Sequence, residues 1–428
     1  MRGELVFGTL TKGVAAILGV LLTVIIASQY STDEFAEFSI ALSLLNFGII
    51  VAAFGHPRKL ARDTSRAFNS NELNRFSKIV TGLLKTNFLI ALLFCLAIIT
   101  AIIILKNYIG FSDLRTTLLI SFIIIIPLVS LNLVLSEIIK GLGHVITSIL
   151  VWNLFLNLSL IFLLYIYPLD IKFIGVYYVS AALINVIFAI YFLRKRNIKL
   201  TFSGVRIGRF PSFNEETKNF FTSDILREIK RWGIVLIVFP FLDATSIGIV
   251  LISKQVANVL MLIPYGLNSV LITKITKLFL RKNFNRIQQV LNLSVTLLSI
   301  ISFSLFLPLF FFRENIITLF NNSYIGHQLT FLIICFSPLF SNTYGPIGVI
   351  LNLCDKEEYV KKANYLSTTS LLVLGIIGSI FLESLGCALA ILASTIFHNI
   401  YLRIIIKKQL SIVPRIELSS LRSISALQ

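Results

Sequence analysis

Apolar runs of about 20 residues recur along the whole chain, each the length a helix needs to cross a bilayer, with short polar stretches between them. The runs are uniformly apolar. A membrane barrel needs strands that alternate apolar and polar positions, so barrel strands are excluded. The pattern predicts an all-α polytopic membrane protein with spans at 8–29, 35–55, 80–105, 116–136, 145–167 and 173–193. After a longer polar stretch it predicts six more at 222–242, 247–272, 289–312, 325–353, 363–382 and 385–406.

The stretch 194–218 is rich in Lys and Arg, with Gly, Pro and Ser as helix breakers, and reads as a linker between two halves. The predicted domains are therefore a lobe at 1–193, a cytoplasmic linker at 194–218, and a second lobe with a short cytoplasmic tail at 219–428. The offset that sets Asp224 on Lys12 also sets Ile247-Gly248-Ile249-Val250 on Phe35-Ala36-Glu37-Phe38. It brings the polar turn after the fourth span onto the one after the tenth. Loop positions and charge signs match without gaps, as a parallel six-plus-six duplication requires.

Net charge is +18, yet only 14% of residues are charged and 56% are hydrophobic. The cations cluster in every second loop, around Arg62, Lys199, Arg281 and Lys361. The alternate loops hold only Lys106, Arg115, Lys172 and Arg313. This bias predicts a cytoplasmic (inner) membrane protein with both termini in the cytoplasm, and loops at Asp113, Asp170 and Asn321 facing outward. The basic residues lie in short loops, with no folded basic domain or stacking array, so nucleic acid is not an expected partner. Cys95, Cys335, Cys354 and Cys387 are scattered, as are His56, His144, His327 and His398; no metal site or cofactor is expected.

The strongest candidate site opens the seventh span. As an α-helix, Asp224, Arg227, Glu228 and Arg231 recur at i, i+3, i+4 and i+7 and share one face, with Lys230 beside it. Such a stripe inside a span faces protein or a watery cavity. Its three cations outnumber its two acids, and an arginine fork binds phosphate oxygens in pairs. The plainer alternative is a solvated amphipathic helix end at the headgroups. Lys12, Lys85 and Lys254 are further cations within spans; for Lys12 and Lys85 the alternative is snorkelling to the interface. Glu37 lies near the outer end of the second span, as a charge partner or an interface residue. Pro338, Gly345 and Pro346 interrupt the tenth span, as a hinge or as an ordinary membrane-helix kink.

Three places carry a family resemblance. They are Ile247-Gly248-Ile249-Val250 with the following residues 253–262, Leu267-Asn268-Ser269-Val270-Leu271, and Gly345-Pro346-Ile347-Gly348-Val349-Ile350-Leu351-Asn352 followed by Cys354-Asp355-Lys356-Glu357. Across nearly its whole length the chain resembles the O-antigen and capsule type of oligosaccharide flippase, in the multidrug/oligosaccharidyl-lipid/polysaccharide exporter superfamily. It departs from the usual pattern at Thr273, where members have Pro, and at Cys354 or Asp355, where they have Gly. The resemblance implies two six-helix lobes, alternating access, and an undecaprenyl-diphosphate-linked oligosaccharide as substrate. The expected partners are the lipid bilayer, that substrate, and a polysaccharide polymerase with its chain-length regulator. A drug/cation antiporter would favour acidic rather than basic cavity residues. A membrane polymerase or glycosyltransferase needs an outer domain that these short loops do not provide, so no enzyme is expected.

Overall fold

A computed structural model describes all residues except 1, 55–56, 58–59, 61–63, 66–72, 110–111, 168–169, 197–214, 262–274, 276–277, 280, 355 and 420–428. The loop cations at 58–66, most of the expected linker, the 267–271 stretch and Asp355 therefore lie outside the described residues.

Among the described residues twelve helical segments follow in chain order. α1 is Arg2–Gln29, α2 Thr32–Ala53, α3 Leu73–Ile109 and α4 Asp113–Gly141. α5 comprises Val145–Ile149 and Phe155–Ile166 joined by a π turn at Leu150–Leu154, and α6 is Ile174–Lys195. α7 runs Glu215–Glu228, passes through a second π turn at Ile229–Gly233, and resumes as Ile234–Val238. α8 is Ala244–Leu260 and α9 Phe284–Phe311; α10 is Gln328–Asn342, continued after a break by Ile347–Leu353. The run Glu357–Leu410 turns sharply at Glu383 (φ 49, ψ −130) and supplies α11 (357–382) and α12 (384–410). Among the described residues nine runs are long and apolar enough to cross a membrane. The turn at Glu383 makes two spans of one of them, and α7 and α8 complete the twelve.

Local chemistry sets the helix starts. Ser31 caps α2 by accepting from the Glu34 N–H while the Glu34 carboxylate accepts from the Ser31 N–H, a reciprocal capping box. Ser112, Asp243 and Asn283 cap α4, α8 and α9 through the N–H groups of Arg115, Ser246 and Arg286.

The chain forms two compact units, Met1–Leu236 and Ile237–Gln428. Residues 219–236, which the sequence reading grouped with the second lobe, therefore pack with the first. In the first unit α2, α3 and α6 pack on α4, and α7 lies on α2. In the second, α8 and α9 pack on α10. α12 joins α10 by hydrogen bonds between Ser337 and Thr395 (2.8 Å) and between Asn399 and Ser341 (3.1 Å).

The tenth span differs in detail from its expected break. The helix runs unbroken through Pro338 and stops at Asn342. Gly345 takes a left-handed φ of 68°, and Pro346 leads into the next segment. A Cβ on Gly345 would lie 2.6 Å from Val295 Cγ2 on α9. Gly345→Ala is expected to cost about 2–4 kcal/mol from the clash and the φ strain together. Thermal unfolding in detergent checks this, and an unchanged midpoint would mean that the break is slack.

Candidate functional site

The expected stripe is split by the π turn. In the α-helical phase Arg231 falls one turn after Arg227 on the Asp224 face. A π turn closes i→i+5 bonds and takes in one extra residue, so positions after it are out of phase with those before it. Asp224 and Glu228 turn inward and are buried, at 5% exposure each, while Arg227 and Arg231 are exposed. Arg231 lies 5.8 Å from the ring of Trp232. Lys230, in the π turn, is half-buried.

Arg227 sits between the two buried acids. Its Nε donates to Glu228 Oε1 at 3.1 Å, and its Nη2 lies 3.0 Å from Asp224 Oδ1. The second contact is an ion pair without hydrogen-bond alignment. Asp224 is also within electrostatic reach of Glu137 near the end of α4. Glu137 in turn pairs with Lys140 at 3.0 Å, and both lie within reach of Lys12 on α1. The structure thus gathers three cations (Lys12, Lys140, Arg227) and three carboxylates (Glu137, Asp224, Glu228) from α1, α4 and α7. The cationic surplus expected of the stripe is neutralised at Arg227. Arg231 is the exposed cation of the stripe outside that pairing.

The packing behind the cluster is apolar. Phe54, closing α2 in a left-handed conformation, places its ring 4.8 Å from that of Phe221 on α7. Leu60, Val80, Leu84, Val134, Leu135, Ile138 and Leu193 build one core between the same ends of α3, α4 and α6. Ile138 and Ile139 point into this core, so Glu137 and Lys140, at i and i+3, share the other side.

The remaining candidates are dispersed. Glu37 receives Arg115 Nε at 3.0 and 2.8 Å on its two oxygens, which ties α2 to the start of α4. Lys85 on α3 is half-buried. Lys254 on α8 belongs to the second unit, where it lies within electrostatic reach of Cys387 on α12. Sequence reasoning missed Glu137, Lys140 and Arg115 as site residues. The i, i+3 spacing of Glu137 and Lys140 at the end of a span was the available signal, but it also fits a plain polar turn.

No protein-family model matches the chain, and no curated protein matches it. Solved structures do. A lipid II flippase MurJ in an inward closed conformation superposes with a TM-score of 0.76 at 17% identity, over 98% of this chain and 90% of that one. A multidrug resistance MATE family transporter of the MOP superfamily matches in its inward-facing conformation with a TM-score of 0.68 at 13% identity, over 93% of this chain and 95% of that one. Its outward-facing conformation matches at 0.64 and 13%, over 95% of each chain. The chain therefore has the fold shared by the MurJ flippase and the MATE transporters of the MOP superfamily.

Proposed function

We propose that this protein is a transporter that carries an undecaprenyl-diphosphate-linked oligosaccharide from the cytoplasmic to the outer leaflet by alternating access, for assembly of O-antigen or capsule. The observation that carries this reading is the match to a lipid II flippase over 98% of the chain. The exposed Arg231 of α7 supplies the chemistry, with charge-assisted hydrogen bonds to a diphosphate, and the half-buried Lys230 lies beside it. The reading places the protein in the bacterial inner membrane with both termini cytoplasmic, working beside a polysaccharide polymerase and a chain-length regulator. The break at 343–346 serves as a hinge within the second unit.

One observation favours a second reading. Two buried carboxylates, Asp224 and Glu228, with Glu137 within reach of Asp224, suit a drug/cation antiporter, and a multidrug resistance MATE family transporter shares this fold.

Deletion of the protein is the test. The flippase reading expects surface polymer to disappear and lipid-linked repeat units to build up on the cytoplasmic side. Arg231→Gln is expected to lower surface polymer about tenfold at normal protein level, because one Arg–phosphate bond contributes about 1.5–3 kcal/mol. Arg231→Lys restores part of this, keeping the charge without the fork. Normal polymer in the deletion strain, with no second flippase present, overturns the reading; increased drug sensitivity with normal polymer selects the antiporter.

A further inference from the structure

After α12 ends at Leu410, the backbone turns left-handed at Ser411 (φ 56) and continues as an extended arm along α9. Three polar side chains on one stripe of α9 hold it. Gln288 Oε1 accepts the Val413 N–H at 2.7 Å, and Gln288 Nε2 donates to the Val413 carbonyl at 2.5 Å. Asn292 Oδ1 accepts the Arg415 N–H at 3.2 Å, and Thr296 Oγ1 accepts the Glu417 N–H at 3.0 Å. The registers agree for a physical reason. Residues four apart on a helix rise about 6 Å, and residues two apart on an extended chain advance about 6.6 Å. Ile412 buries in the core formed by Ile287, Leu291, Leu402 and Ile406, which fixes the start of the arm.

Placed by helix length, this arm runs below the membrane surface. α9 has 28 residues, so it is about 42 Å long against a hydrocarbon core of about 30 Å. Centred in that core, Asn292 lies about 6 Å and Thr296 about 12 Å inside the boundary. Non-helical backbone at such depth is tolerated only inside protein or beside a water-filled cavity. The Arg415 side chain is exposed, and a guanidinium does not face lipid. Its side of the arm therefore meets water. At the mouth stand the exposed cations Arg281, Lys282 and Arg286 from the start of α9, and Arg403, Lys407 and Lys408 from the end of α12. The acids on these elements are Glu417 on the arm and the exposed Glu357 and Glu358 opening α11.

We propose that the arm and its polar ladder form a binding site for the diphosphate of the lipid-linked substrate at the cytoplasmic end of the second unit, with Arg415 as its deepest cation. This rests on the flippase reading above. The rim cations raise the local concentration of anions, and the arm holds Arg415 by its backbone, leaving the guanidinium free to bind.

The test uses full-length Leu418→Cys protein in phosphatidylcholine nanodiscs, labelled with a membrane-impermeant maleimide. The four native cysteines are buried, so the new thiol reports on the arm. Labelling is expected, and inorganic pyrophosphate is expected to slow it about tenfold. Adding Arg415→Gln abolishes the protection although the arm stays docked, because the ladder holds residue 415 through its N–H. Arg415→Lys keeps part of it, and Asn292→Leu, which removes the acceptor, loses it with Arg415 still present. Absence of labelling, or labelling indifferent to pyrophosphate, overturns the proposal. So does equal slowing in phosphatidylglycerol nanodiscs without pyrophosphate, which would make the arm a bulk-lipid anchor. Loss of surface polymer on deletion, with indifferent labelling, removes this site and leaves the flippase reading standing; normal polymer on deletion removes the flippase reading itself.

Discussion

Arg227→Gln is expected to destabilise the first unit by about 2–3 kcal/mol. Removing one partner of a buried ion pair typically costs about 3–5 kcal/mol because it strands the other charge, and the half-exposed Arg227 warrants a discount for solvent screening. Two acids are stranded here, Asp224 and Glu228, with side chains 7% and 6% exposed. The sign can be separated from an effect on transport. In the triple variant Asp224→Asn, Arg227→Gln, Glu228→Gln no charge is stranded, and most of the thermal stability should return. Unfolding midpoints of detergent-purified single and triple variants check this. A triple variant no more stable than the single one would show that the cluster is not held by this pairing. Arg231→Gln should leave the midpoint nearly unchanged, because Arg231 is exposed and outside the Asp224–Arg227–Glu228 contact. The π turn thus assigns different jobs to two arginines that look equivalent in the sequence. Arg227 holds the helix, and Arg231 stays exposed outside that pairing.

Gly386→Ala is expected to have a still larger effect on folding. α11 and α12 approach so closely beside the turn at Glu383 that a Cβ on Gly386 would lie 1.9 Å from the Gly378 carbonyl oxygen. That neighbour is backbone, so no side-chain rotation relieves the contact. Overpacking a tight interior usually costs about 1–3 kcal/mol and occasionally more; a clash of this depth belongs at or beyond the upper end. The expected outcome is loss of monodisperse protein on extraction from membranes. Wild-type yield and midpoint for Gly386→Ala would mean that the two helices can separate at no cost.

The all-helical membrane class and the twelve-span count were legible in the sequence because hydropathy over a span length is a local property, set by the bilayer rather than by packing. The reversal at Glu383 was equally plain, as a lone polar turn between two apolar runs. The break at Gly345-Pro346 was also visible, although Pro338 proved to sit inside a continuous helix. Other features required the folded chain. The phase of the charged stripe follows ideal α periodicity in the sequence, and a single π turn at Ile229–Gly233 shifts it. Nothing in the residue types Ile-Lys-Arg-Trp-Gly demands that turn, which packs on α2 in the folded chain. The approach of Glu137 on α4 to Asp224 on α7, the pairing of Glu37 with Arg115, and the seating of residues 412–417 on Gln288, Asn292 and Thr296 join positions far apart in the chain. Hydropathy and periodicity report what each segment can bury; which charge meets which carboxylate depends on how helices cross, and only the tertiary structure fixes that.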